Sequence, residues 1–296
     1  MSSPSPLVDP TGVLEDLGAD ATRLSELAAA LAGAPSPSLP GRVARSERGG
    51  ADVQTPEGPV NAATAETVCT GDWVVLDGSA DPTRVVAILE RRTALVRRAA
   101  SDESPQLLAT NIDEVWVVTP LDRPIGSGRL ERALVLAWES GAQPVIVATK
   151  ADLADGPAID EAERVMAVSG PGTPLVVVSL ATAAPDADAP SAAGGNGLAD
   201  LRSRLGRGRT AALLGASGAG KSSLVNALAG RDAVDVGALR ASDGKGRHTT
   251  AWRELVMAEH GGVLIDSPGL RAVGMWIDAG GIDAAFSDVA DLAANC

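Results

Sequence analysis

The stretch Leu213-Leu214-Gly215-Ala216-Ser217-Gly218-Ala219-Gly220-Lys221-Ser222-Ser223 has residue types spaced to hold a chain of phosphates. It fits G-x-x-x-x-G-K-[ST], with Gly215, Gly220, Lys221 and Ser222 in the required positions. The flanks agree: 210–214 is a short apolar run that reads as a buried strand, and 222–229 carries Leu224, Val225 and Leu228 at helical spacing. A strand, a glycine loop and a helix in that order aim backbone N–H groups and a helix N-terminus at an anion. The expected nucleotide-holding residues are Gly215, Ser217, Gly218, Ala219, Gly220, Lys221, Ser222 and Ser223. In such a loop the lysine reaches the β- and γ-phosphates and the Ser222 hydroxyl meets Mg²⁺. The bland alternative is a chance glycine-rich turn, which the flanking strand and helix disfavour.

A second constellation reads a base. Thr149-Lys150-Ala151-Asp152 follows the apolar run 144–148 and matches [NT]-K-x-D, with Thr149 in place of the more usual Asn. A carboxylate at Asp152 accepts from guanine N1–H and the 2-amino group, an arrangement adenine does not offer. Polar groups left unpaired make such a site reject the wrong base strongly. The Lys150 stem is expected to lie along the base. Ser179-Leu180 ends the run 175–178 and corresponds to the S-A element, where a backbone N–H meets guanine O6.

A third constellation serves the metal and the γ-phosphate. Leu264-Ile265-Asp266-Ser267-Pro268-Gly269 is a strand ending in D-x-x-G. Asp266 is expected to hold Mg²⁺ through water, and the Gly269 N–H to meet the γ-phosphate. Gly246-Arg247-His248-Thr249-Thr250 reads as a first switch with a threonine for the metal, and spacing does not choose between Thr249 and Thr250. Leu270 stands where many GTPases place a water-orienting glutamine. Slow intrinsic hydrolysis follows, with His248 as the helper, so the catalytic set is His248, Lys221 and Gly269. The alternative for His248 is a surface loop histidine. The other histidine, His260, falls in an expected hairpin turn.

These motifs need a sheet to carry them. From 111 onward apolar runs at 114–118, 144–148, 175–178, 210–214 and 262–265 alternate with helical stretches, notably 129–140 and 159–168. Strand runs without polar alternation, separated by helices, imply a mostly parallel sheet covered on both faces. The motif order is rotated, because the base-reading elements come before the phosphate loop instead of after it. Termini of a compact domain often lie close together, so a rotation can preserve the fold. The fold class is α/β: a circularly permuted P-loop GTPase domain with a mostly parallel sheet, preceded by a small all-β OB-fold barrel.

The barrel is expected from short β-like pieces at 43–46, 51–55, 73–77, 84–89 and 94–97, separated by Gly, Pro and Asp turns. The pattern alone does not separate an OB-fold from an SH3-like barrel. Before it, 20–31 reads as a helix and 32–40 as a proline-bearing linker. The expected divisions are 1–39 for the N-terminal extension, 40–105 for the barrel, 106–274 for the GTPase domain and 275–296 for the start of a further domain.

Composition sets outer limits. A net charge of −13 argues against general, sequence-independent nucleic-acid binding. Two local arginine groups run against it: 84, 91, 92, 97 and 98, and then 202, 204, 207 and 209. Each reads either as a solvated face or as an RNA-contacting patch. Trp73 is the one aromatic of the barrel stretch, so a platform for stacking single-stranded bases is absent. Two cysteines, Cys69 and Cys296, make no disulfide framework and suit a reducing cytoplasm. No apolar run approaches the roughly 18 residues of a membrane span, and no signal peptide opens the chain.

The permuted order, together with G-A-S-G-A-G-K-S-S-L-V-N-A-L, G-R-H-T-T and I-D-S-P-G-L-R, is similar to the bacterial ribosome-small-subunit-dependent GTPase family. So is Thr70-Gly71-Asp72-Trp73-Val74, where that family has its N-terminal OB-fold. The likeness runs from about 41 to 296. It implies GTP hydrolysis stimulated by the small ribosomal subunit, and a role in that subunit's late maturation. It further implies a cytoplasmic monomer that uses GTP, GDP and Mg²⁺ and contacts rRNA or a ribosomal protein. The family also carries a zinc-binding domain with three cysteines and a histidine, and Cys296 falls where the first ligand stands. One cysteine cannot form a tetrahedral site, so zinc is not expected for the chain as given. Two other functions compete: a nucleotide-gated adaptor with incidental hydrolysis, and an ATP-dependent enzyme, which Thr149 to Asp152 argues against.

Overall fold

The protein is described by a computed structural model covering residues 9–97, 106–180, 197–231, 233–234 and 254–266. Two helices open it. α1 (Pro10–Asp16) starts where the Asp9 side chain accepts from the Thr11 N–H and proline occupies the first turn. α2 (Ala21–Ala32) starts likewise, with the Asp20 carboxylate accepting from the Arg23 N–H.

Five strands then close a barrel: β1 (Ser38–Glu47), β2 (Gly50–Thr55), β3 (Gly58–Ala63), β4 (Trp73–Asp77) and β5 (Arg84–Ile88). They are ordered β1-β2-β3-β5-β4, and the closing β3–β5 contact is parallel. This is the OB-type arrangement, filled by Val43, Val53, Ala62, Val74 and Leu76. Strand count matches the expectation, but membership differs. The stretch Gly58-Pro59-Val60-Asn61-Ala62-Ala63 lacks a β-branched run, and its strand character comes from pairing along the whole of β2. The expected strand at 94–97 is β6 (Ala94–Arg97), which pairs antiparallel with β7 (Gln106–Thr110) outside the barrel.

Among the described residues the rest builds a six-stranded sheet from β8 (Glu114–Pro120), β9 (Gln143–Thr149), β10 (Leu175–Val177), β11 (Thr210–Leu214), β12 (Glu254–Met257) and β13 (Val263–Asp266). The order is β10-β9-β8-β11-β13-β12, and every pair is parallel except β12 with β13. His260 lies in the turn between these last two. Among the described residues four helices cover the faces. α3 (Ser127–Glu139) and α4 (Gly156–Ser169) lie on one side, burying Leu130, Leu134 and Met166 against Ile146. α5 (Gly197–Arg204) and α6 (Lys221–Ala229) lie on the other, burying Leu201, Leu224 and Val225 against Trp116. Strands covered on both faces account for the uninterrupted apolar runs.

One side chain joins barrel, helices and sheet. Arg42 is completely buried; it donates to the carbonyls of Leu17, Gly71 and Asn111 and to the Thr210 hydroxyl at the start of β11. Its guanidinium lies over the Trp73 ring, 4.9 Å from the centroid. Burial pushes its pKa down to about 9, which still leaves it protonated at neutral pH. Beside it, Gly71 has φ +97 and a Cβ there would stand 2.2 Å from the Thr110 carbonyl oxygen. The buried Asp72 carboxylate accepts from the Cys69 N–H, the Thr110 hydroxyl and Arg91, each at 2.8 Å. The T-G-D-W-V stretch is therefore the joint between barrel and sheet.

The arginine groups resolve in the same way. Arg92 pairs with Asp20 and Glu26 of the α2 region at 2.8 and 3.1 Å. Arg207 pairs with Asp16 at 2.7 Å, Arg209 with Asp113 at 3.6 Å and Arg204 with Glu114 at 3.3 Å. Burial pushes the Asp113 carboxyl up, against a hydrogen bond from the Thr210 N–H and the charges of Arg209 and Arg42. Arg92 and Arg207 thus tie the N-terminal helices to the rest of the fold, and Arg91 pairs with Asp72 in the barrel region. Arg204 and Arg209 tie α5 and the start of β11 to β8, while the Arg207 and Arg209 side chains remain 57% and 47% exposed. Arg84 is exposed, and Arg98 lies outside the described residues.

Candidate functional site

The phosphate loop leaves β11 at the carboxyl end of the sheet, where open α/β sheets bind ligands. Gly215 has no room for a side chain, since a Cβ there would lie 2.4 Å from the Val118 carbonyl oxygen. Gly218 and Gly220 take φ +73 and +91, which only glycine adopts cheaply. With those turns made, α6 begins at Lys221, so the N–H groups of its first turn lie at the loop. The nearly buried Lys221 ammonium donates to the Gly215 and Ala216 carbonyls at 2.6 and 2.7 Å. It is thus held among the loop's own oxygens, at the place where phosphate oxygens can take over.

The base-reading segment is tied to this loop. β9 ends at Thr149, whose buried hydroxyl donates to the Ala219 carbonyl at 2.6 Å. Thr149 is a strut between the two motifs. Lys150 follows at φ +60, a left-handed conformation that costs energy for a non-glycine residue. That turn opens a short 3₁₀ segment, Ala151–Leu153, which carries Asp152. The Asp152 carboxylate accepts from the Ser179 hydroxyl at 2.8 Å, so the carboxylate is oriented by the segment expected to meet guanine O6. Leu180 packs at the edge of the apolar cluster around Trp116. The Lys150 ammonium meets the Asp122 carboxylate at 2.5 Å. Asp122 was not singled out by the sequence; its signal is its place two residues past Pro120, which pairs with Thr149.

Asp266 ends β13, one strand over from β11, and is 3% exposed. Ser222 sits in the first turn of α6. A hydroxyl and a carboxylate are hard oxygen donors of the kind Mg²⁺ takes, so these residues fit that ion. Among the described residues the structure brings together the loop, the Thr149–Asp152 segment and Ser179. His248, Thr249, Thr250, Gly269, Leu270 and Cys296 lie outside the described residues. No helix among the described residues is long and apolar enough to cross a membrane.

A phosphate loop on the central strand, a guanine-type carboxylate beyond a strand earlier in the chain, and the strand order together define a circularly permuted P-loop GTPase. The RsgA GTPase family model matches residues 88–276. The small ribosomal subunit biogenesis GTPase RsgA of Streptomyces coelicolor is 46% identical over 269 residues, covering 87% of this chain and 70% of that protein. Among solved structures, YjeQ from Thermotoga maritima matches with a TM-score of 0.56 at 22% identity, covering 80% of this chain and 76% of that one. YloQ, described as a circularly permuted GTPase, matches with a TM-score of 0.52 at 21% identity, covering 79% and 72%. The chain belongs to the RsgA GTPase family and is a hydrolase acting on GTP.

Proposed function

We propose that this chain is a cytoplasmic, monomeric GTPase that acts on the small ribosomal subunit during its late maturation, with hydrolysis stimulated by that subunit. The observation that carries the reading is the Thr149–Ala219 hydrogen bond. It fixes a guanine-reading segment and a phosphate cradle to one scaffold, so one ligand spans both. The ribosomal partner is carried over from the Streptomyces coelicolor relative's name.

In this reading the phosphates settle on the loop N–H groups and the α6 N-terminus, and Lys221 exchanges two carbonyls for phosphate oxygens. Asp152, oriented by Ser179, accepts from the guanine edge. Ser222, Asp266 and either Thr249 or Thr250 would hold Mg²⁺, which would supply charge neutralisation for the phosphates. Gly269 donates its N–H to the γ-phosphate, and His248 assists the attacking water that Leu270 cannot orient. The phosphorus–oxygen bond to GDP breaks as the one from water forms, leaving GDP and phosphate. A site short of one water-positioning group depends on a partner to complete it. GTP turnover measured with and without purified small subunits tests the proposal. A rise with subunits is expected; the same turnover in both conditions would favour the nucleotide-gated adaptor instead.

A further inference from the structure

We infer that Asp122 is a positioning residue of the guanine site, acting through Lys150. Asp122 belongs to none of the nucleotide motifs. Its loop follows β8, and the backbone places it: Pro120 pairs with Thr149, and the Leu121 N–H donates to the Thr149 carbonyl at 2.8 Å. The loop after β8 is therefore registered against the turn that carries Lys150. Across that turn the Asp122 carboxylate takes the Lys150 ammonium at 2.5 Å, with side chains 25% and 30% exposed.

The geometry has a purpose that a surface ion pair lacks. A lysine stem can lay its methylenes along an apolar surface, and fixing both of its ends preorganises that strip. At Lys150 the backbone end is fixed by φ +60 and the ammonium end by Asp122. Without Asp122 the four-carbon stem is free to sample many rotamers, and that entropy is lost again on each binding event. Preorganisation is what Asp122 supplies. Asp152, by contrast, is oriented by Ser179 and reads the edge of the base. The plane and the edge thus have separate supports. Asp122 supports affinity for any purine diphosphate able to enter, while Asp152 supports the choice of guanine.

The inference rests on the guanine-site reading, and the test keeps the two apart. Affinities for GDP, IDP and ADP are measured for the full chain, Asp122→Ala, Lys150→Ala, the double variant and Asp122→Glu. IDP keeps the base plane and lacks the 2-amino group. Asp122→Ala is expected to weaken GDP and IDP by the same factor, about fivefold to tenfold, with the double variant no weaker than Lys150→Ala alone. Asp122→Glu should restore most of the loss. Independent, multiplying losses in the double variant, or unchanged GDP affinity in Asp122→Ala, would overturn the positioning role. Equal affinity of the unaltered chain for GDP and ADP would instead remove the guanine site itself. A lowered melting temperature with all three affinities unchanged would make the pair structural only, which also overturns the inference.

Discussion

The two ends of the six-stranded sheet use charge in opposite ways. At the carboxyl ends, Lys221, Lys150 and Asp152 are each held by short contacts within the site: loop carbonyls, Asp122 and Ser179. Ligand groups can replace or exploit such contacts. At the amino ends, Arg42, Asp113, Arg204 and Arg209 are held by partners from distant parts of the chain. These contacts join distant parts of the chain, and through Arg42 they hold barrel, helices and sheet together. The same residue types therefore serve chemistry at one end and construction at the other, and only the source of their partners tells the two apart.

The sharpest way to break that contrast is Arg42→Met, which keeps bulk and removes the charge. It leaves the carbonyls of Leu17 and Asn111 and the Thr210 hydroxyl without their donor. A stability loss of about 3–5 kcal/mol is expected, read as a lower urea midpoint. At the opposite end, Lys221→Ala should cut GTP turnover by roughly 10²–10³-fold at saturating nucleotide, since a preorganised charge at the transferred phosphoryl is removed. Its melting temperature should move far less than that of Arg42→Met; equal destabilisation would erase the distinction.

Asp152→Ala sharpens the comparison within the site. Loss of a charged acceptor is worth about 1.5–3 kcal/mol, so GTP and GDP affinity should fall while the urea midpoint holds. The smallest effect belongs to Arg92→Ala. Its pairs with Asp20 and Glu26 are partly exposed, and such pairs contribute about 1 kcal/mol or less. High salt should remove most of the difference in midpoint between this variant and the unaltered chain. A salt-independent loss would mean that Arg92 holds the α2 region by packing.

How much of this was legible depended on whether the signal was local. Gly215, Gly220 and Lys221 were readable because strand, turn and helix start all lie within one short stretch. The sheet was readable because β8, β9, β11 and β13 are apolar without interruption. The arginines were not readable. Arg92 and Asp20 stand 72 residues apart, and Arg207 and Asp16 stand 191 apart, so composition sees a basic run where the fold makes pairs. β3 was missed because its strand character is supplied by β2, and β6 was assigned to the barrel because pairing partners do not show in a pattern of alternation. Asp122 was missed for a similar reason: its meaning comes from the register of β8 against β9.

Arg42 also sets a schedule for biosynthesis. Its bond to Thr210 spans 168 residues, and its other acceptors come from 17, 71 and 111. Chains emerge N-terminal end first at about 5–20 residues per second, so Arg42 waits on the order of ten seconds or more for its last partner. Through that interval the barrel can close around Val43 and Val74, yet the guanidinium beneath it must stay in water. Docking of β11 dries that surface. The barrel is among the first parts to be synthesised and among the last to be completed.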